Sequence, residues 1–278
     1  ARYNMVEQQI RTWDVLDTDV LDLLHAIKRE NFVPAPQREF AQRQLRDSDR
    51  TLAELAEADE SVSGQHGAPR GRITVTAPVL FGGMVVTPIV TAYLQRYPEV
   101  SASCLFLDRV VNLVDEGVDV AIRIGELPDS TLQAIRVGQV RQLICAAPDY
   151  LAAHGIPLTP EDLHRHTIVS ANSVTPNPEW RLVHSGAPRS VRFQARMTTS
   201  TNDSAVAAVV GGFGITRLLS YQVAGYLRDG RLKTVLAEYE APPLPVHVVH
   251  REGRQAPQRV RAFIDMAVEQ LRANAAVQ

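Results

Sequence analysis

The residues with which this chain could do chemistry are few in kind. They are eight histidines (His25, His66, His154, His164, His166, His184, His247 and His250), two cysteines and 31 acidic side chains. Their spacing serves no catalytic or metal-holding pattern. His164-Arg165-His166 has neither the i, i+4 interval that sets two imidazoles on one helix face nor a zinc-ligand interval. Cys104 and Cys145 each lie in an apolar run, read as buried free thiols, and stand at no ligand spacing from a histidine. No Gly-x-Ser-x-Gly elbow or phosphate-binding P-loop occurs. Asp115 and Glu116 flank a helix end and read as solvated surface. Turnover of a substrate is therefore not expected, and neither a metal nor an organic cofactor is.

Binding is better provided for. In an open parallel sheet, ligands sit beyond the carboxyl ends of the strands, where helix N-termini present unpaired N–H groups and partial positive charge. Three places qualify: Ala77-Pro78-Val79-Leu80, Leu107-Asp108-Arg109 with Ile124-Gly125 beside it, and Thr201-Asn202-Asp203. Arg109 can take a carboxylate in a bidentate grip, or pair with Asp108 or solvent. Gly125 lets a ligand approach the backbone, or simply turns the chain. Thr201 and Asn202 offer short polar contacts, and capping a helix is open to the same groups. Arg217 and Tyr221 follow a glycine turn and suit either a cleft floor or the surface.

Those places depend on the elements that carry them. Residues 71–129 read as strand, turn, helix, strand, helix, strand, turn. The strands are Ile73–Ala77, Ser101–Leu107 and Val118–Ile124. The helices are Phe81–Tyr97, with a bend near Pro88, and Val110–Glu116, capped by Asp108 and ended by Gly117. Strands are then expected at Leu132–Val137, Gln142–Ala146, Ile168–Ser170, Val191–Ala195, Gly214–Leu218, Leu232–Val235 and Val246–His250. Helices are expected at Pro148–His154, Pro160–His164 behind a Thr159 cap, Ser204–Gly211 behind Thr201–Asp203, Ser220–Asp229, and Gln258–Leu271 with Val260, Phe263, Ile264, Ala267, Val268 and Leu271 on one face. Alternation of strand and helix with short connections implies α/β architecture, a parallel sheet covered on both faces.

Ahead of this body, helical spacing recurs from Val15 to Ile27 and stops at Pro34 and Pro36. Leu45, Leu52, Leu55 and Val62 lie near a/d spacing, an amphipathic helix with a coiled-coil-like seam. Residues 64–71 form a turn-rich hinge. At 278 residues, 45% hydrophobic, 22% charged and net charge −2, the chain fits an ordinary globular protein without the basic patch of a nucleic-acid binder. No run of about 18 apolar residues occurs, so no membrane partner is expected, and a cytoplasmic location fits best.

Four marks, in order, resemble the effector-binding domain of LysR-type transcriptional regulators. They are Val-Asp-Glu-Gly-Val-Asp-Val-Ala-Ile-Arg-Ile-Gly (114–125), Cys-Ala-Ala-Pro-Asp-Tyr-Leu (145–151), Gly-Gly-Phe-Gly-Ile (211–215), and Pro-Leu-Pro-Val-His-Val-Val (243–249) followed by Arg-Ala-Phe-Ile-Asp (261–265). The resemblance covers about 200 residues. Leu-Ala-Glu-Leu-Ala-Glu-Ala-Asp-Glu-Ser-Val-Ser-Gly (52–64) resembles the end of that family's linker helix. The resemblance implies two Rossmann-like lobes of the type 2 periplasmic-binding-protein kind, preceded by N-terminal helices. Lobe I is expected over residues 72–146 plus 247–275 and lobe II over 147–246, with crossings near Cys145–Pro148 and Pro242–Val246. It also implies a small-molecule effector between the lobes, with an organic acid as one candidate class, held by Ala77, Pro78, Val79, Asp108, Arg109, Ile124, Gly125, Thr201, Asn202 and Arg217. A homo-dimer or tetramer through the linker helix, and DNA only through a helix-turn-helix domain, complete that expectation. Residues 1–41 do not carry the helix-turn-helix pattern. They resemble the N-terminal helices of protein-L-isoaspartate O-methyltransferases, but no strand followed by a glycine-rich turn comes after them to hold a cofactor. The alternatives are thus a methyltransferase-related chain lacking its cofactor motif, or a solute-binding protein of the same fold.

Overall fold

A computed structural model describes residues 68–278, except 110, 128–131, 172–178 and 252–255. The helical segment 1–41 and the linker helix 42–63 expected from the sequence lie outside the described residues.

The first sheet begins with β1, Gly71–Ala77, which runs parallel to β2, Val100–Phe106, on one side and to β3, Val120–Ile124, on the other. Two later strands complete it: β4, Gln133–Val140, and β12, Leu244–His250, in the order β2-β1-β3-β12-β4. β12 is antiparallel to both of its neighbours. Ile73, Val75, Thr76 and Ala77 are all buried, as a strand covered on both faces requires.

Helix α1, Val79–Arg96, follows β1. Its first turn is capped from a distance: the Val79 N–H donates to Asp108 Oδ1 at 3.0 Å. Pro88 brings no N–H to the helix ladder, and the turn just before it, Gly82–Val86, is a π-helical widening. The bend expected near Pro88 takes that form. At Gly82 any Cβ would fall 2.3 Å from the Phe106 ring, so glycine is what lets helix and β2 approach. Among the described residues α1 alone has the length and apolar composition of a membrane span, yet Phe81, Val86, Ile89 and Tyr93 bury its inner face in the lobe core.

Two expectations for this region are corrected. No regular helix forms between Val111 and Glu116. Asn112 accepts hydrogen bonds from the N–H groups of Val114 and Asp115, and this local turn competes with a helical ladder. Asp108 is therefore free to cap α1 instead. Cys104 is exposed on β2, an edge strand of its sheet; Cys145 alone of the two is buried.

The second sheet has the order β10-β5-β11. These strands are β5, Gln142–Ala146, β10, Ile215–Leu219, and β11, Lys233–Val235. β5 was expected in lobe I, but its backbone pairs antiparallel with β10 and β11. The chain thus changes lobes at Arg141, between β4 and β5, not near Cys145–Pro148. It returns between Val235 and Leu244. Around this sheet lie α2, Pro148–His154; a 3₁₀ turn, Pro160–Arg165, closed by a Thr159–Asp162 capping box; α3, Asn202–Val210; and α4, Ser220–Arg228. Short strands β6, Val169–Ser170, and β9, Met197–Thr198, pair in parallel.

A hairpin stands between them, formed by β7, Glu179–His184, and β8, Ala187–Arg192. Its two-residue turn, Ser185-Gly186, has φ of 50° and 78°, the doubly left-handed geometry that matches strand twist. The expected strand Val191–Ala195 overlaps only the end of β8. Helix α5, Gln258–Ala273, returns to the first lobe and buries Val260, Phe263, Ile264, Ala267 and Leu271 there.

Candidate ligand-binding cleft

A cleft of about 1170 Å³ opens between the two sheets. Pro78, Asp108, Ile124 and Leu244 reach it from the first lobe. Ser170, Asn202, Thr216 and Arg217 reach it from the second. A separate hollow of about 710 Å³ lies against the outer side of α5, lined by Ile135, Asp265 and Arg272 among others, and touches one lobe only.

Of the residues singled out from the sequence, Pro78, Asp108, Ile124, Asn202, Arg217 and Tyr221 come together at this cleft. Ala77, Val79, Arg109, Gly125 and Thr201 are not among its lining residues, each for a local reason. Ala77 is buried within β1. Val79 points outward, 41% exposed, and its N–H is already taken by Asp108. Gly125, at φ 114°, turns the chain, its N–H donating to the Pro245 carbonyl. Thr201 shares a hydrogen bond with Ser204 Oγ at 2.9 Å at the head of α3. Arg109 grips Glu116 in a bidentate pair, with both N–O distances 2.7 Å. That pair, at the exposed surface, raises the Arg109 pKa and lowers that of Glu116.

The residues missed from the sequence come mostly from the hairpin: Glu179, Trp180, Arg181 and Arg192 line the cleft. The signal was present, since Trp180 and Leu182 alternate with polar residues ahead of a Ser-Gly turn. Trp180 is buried, edge-on to Phe193 at 4.6 Å. The Arg217 guanidinium lies 5.7 Å from the Trp180 ring centre and donates one N–H to the Arg181 carbonyl at 3.1 Å. Burial pushes its pKa down to about 10. Thr216, its neighbour in the strand, is buried with a hydroxyl that has no hydrogen-bond partner among the described residues.

The wall between the lobes is made by Tyr221. It lies edge-on to Phe81 at 5.1 Å, and burial pushes its hydroxyl up to about 12. The seam behind it is clamped by polar contacts. Arg141, at the first crossing, binds Glu240, at the second, through N–O distances of 2.8 to 3.0 Å. The Arg141 N–H also donates to Ser220 Oγ, and the Ser220 N–H donates back to the Arg141 carbonyl. Among the described residues no group of three metal-ligating side chains occurs.

This arrangement is that of two lobes around a cleft, and comparison with known proteins shows the family. Residues 66–272 match the LysR substrate binding domain. The chain belongs to this family. A LysR-type relative, the CrgA regulator of Neisseria meningitidis, is 28% identical over 82% of this chain and 76% of its own. A transcriptional repressor of Pseudomonas aeruginosa is 30% identical over 82% and 72%. Among solved structures, the full-length Vibrio cholerae virulence activator AphB superposes with a TM-score of 0.67 at 26% identity, covering 83% of this chain and 79% of AphB. The CrgA regulatory domain gives 0.64 at 28% identity, covering 73% and 100%. The two-lobed, periplasmic-binding-protein-like fold is thus shared with LysR regulatory domains. Neither the family match nor these relatives support the isoaspartate methyltransferase resemblance of residues 1–41.

Proposed function

We propose that this chain is the sensing part of a LysR-type regulator, which takes a small organic molecule of the organic-acid class between its lobes and passes the event on to transcription. The observation that carries this reading is the cleft itself, lined from both lobes and backed by two adjacent crossings. A ligand touching both walls favours a closed form by its extra contacts there, and closure about Arg141 and Glu240 re-aims one lobe against the other. The ligand is sensed and released unchanged: among the described residues no histidine or cysteine lines the cleft, and its two carboxylates, Asp108 and Glu179, are already engaged. The a/d-spaced segment 42–63 serves to pair chains into a homo-dimer or tetramer. DNA contact belongs to a helix-turn-helix domain, and such a regulator works where the DNA is, in the cytoplasm.

Thermal melting against a library of metabolites tests the sensor. A ligand at about 100 times its Kd adds about 2.7 kcal/mol. That raises the melting temperature by roughly 5–10 °C for a unit of this size. Small-angle scattering of the same sample should contract. A library that leaves both unchanged removes the sensing role.

A further inference from the structure

The cleft wraps round the end of β10, and its two sides differ. Successive strand residues face opposite ways. Thr216 and Leu218 therefore look toward α3, where Leu218 packs with Val206, and Arg217 looks toward the hairpin. On the hairpin side three arginines, Arg181, Arg192 and Arg217, face one carboxylate, Glu179. Glu179 is already engaged by Arg192 at 3.3 Å and by Arg181 at 4.0 Å. Arg217 has no carboxylate partner among the described residues. It keeps a carbonyl contact and the face of Trp180.

We propose that Arg217, seated on Trp180, is the specificity-determining residue of the cleft and selects a flat aromatic monocarboxylate. The inference rests on the reading of the cleft as the effector site. A guanidinium laid on an indole keeps its N–H edge free to fork a carboxylate, a geometry that an ammonium lacks. Half-buried and without a counter-charge, it carries a desolvation cost that an anion beside it would relieve, and the lowered pKa is the mark of that cost. The body of the ligand meets Trp180, Leu219, Tyr221 and Leu244, apolar or aromatic surfaces that accept a ring. A second carboxylate would find Glu179 and Asp108 in its way, which restricts the ligand to one.

The test uses the full chain carrying Trp13→Phe, which leaves Trp180 as its one tryptophan. Matched probes are titrated: benzoate with benzamide, phenylacetate with phenylacetamide, and acetate and phthalate as an aliphatic and a dianionic control. Trp180 emission and the melting temperature are followed together. The aromatic acids should quench Trp180 and bind at least about tenfold tighter than their amides, the value of one charge-assisted fork. Arg217→Gln should level acid and amide, and Arg217→Lys should keep part of the preference. Amides binding as tightly as acids would overturn the proposal, as would discrimination that survives Arg217→Gln. If neutral compounds alone bind, the proposal falls and the sensor reading stands. If neither these probes nor the metabolite library move the melting temperature, both fall. Should Arg217→Gln fail to fold, the acid-against-amide comparison on the parent chain decides alone.

Discussion

Lobe I and lobe II face the same cleft with different materials. Lobe I packs most of its apolar side chains on one face of its sheet, under α1 and α5, with a small cluster around Val111 and Val118 on the other. Lobe II splits its apolar residues more evenly into two clusters, one around Trp180 and Leu163 and one around Val206 and Leu143. Lobe I offers the cleft Pro78, Ile124 and a capping carboxylate whose hydrogen bond is already made, whereas lobe II offers Asn202 and Arg217, the latter held by one carbonyl but by no carboxylate among the described residues. The contrast teaches a division of labour. At the cleft, lobe I presents a carboxylate already spent on its own helix, and lobe II presents a guanidinium with no carboxylate partner among the described residues.

Large truncations test the platform first. Phe263→Ala, at a fully buried site in the thick core of lobe I, should cost about 3–5 kcal/mol and lower hydrogen-exchange protection across both lobes. Leu182→Ala in lobe II should cost about 2–3 kcal/mol and loosen lobe II amides first. Uniform loss of protection in Leu182→Ala would show that the lobes fold as one unit and would end the contrast.

Close approaches give the next effect. Alanine at Gly214 would set its Cβ 2.4 Å from the Thr167 carbonyl oxygen, which the backbone holds in place. Alanine at Gly82 meets the Phe106 ring, a side chain that can swing aside. Urea unfolding should therefore rank Gly214→Ala near the upper end, and Gly82→Ala near the lower end, of the roughly 1–3 kcal/mol that overpacking costs. The reverse order would mean that lobe II yields more readily than its backbone contacts imply.

The seam should matter less to stability than to movement. A double-mutant cycle on Arg141→Ala and Glu240→Ala should give a coupling of about 0.2–1 kcal/mol, since the Arg141 side chain is half exposed. Scattering of the ligand-free double variant should broaden toward more open shapes. An unchanged profile would place the hinge elsewhere.

The smallest effect is a pH dependence that samples each lobe separately. His166 in lobe II and His247 in lobe I are both held below the ordinary 6.5, chiefly by burial. His154 adds to this at the first and Arg136 at the second, while Asp162 and Glu126 respectively oppose it. The unfolded chain then takes up protons first as pH falls. Stability from both sites is complete above about 6.5 and declines below it. Melting followed from about pH 7.5 to about pH 5.5 should show the decline. His166→Gln and His247→Gln should each remove part of it; a decline that survives both substitutions would assign it to other groups.

Much of the fold was legible because it rests on local pattern. The βαβ order, the 3.6-residue face of α5 and the Thr159 cap are set by neighbours within a few residues. The failures share a cause. Arg109 was a candidate ligand group, and the Glu116 that claims it is seven residues away across a turn built by Asn112. Asp108 was placed as a cap on the helix beside it in sequence, yet its partner is Val79, 29 residues away. Trp180 was passed over, although its alternation and turn were readable, because no local rule says that a hairpin should reach a cleft.

The chain alone determined its class and its family likeness, since these follow from periodicity, turn chemistry and ordered motifs. Only the tertiary structure decided which polar groups were spent and which were left over. Arg109 and Arg217 are the same residue type near strand ends, and a count of nearby charges in sequence does not separate them. Packing put a carboxylate beside the first and an indole beside the second. Charge satisfaction is a property of three-dimensional neighbours, so the arginine left without a carboxylate among the described residues appeared only once the lobes were built.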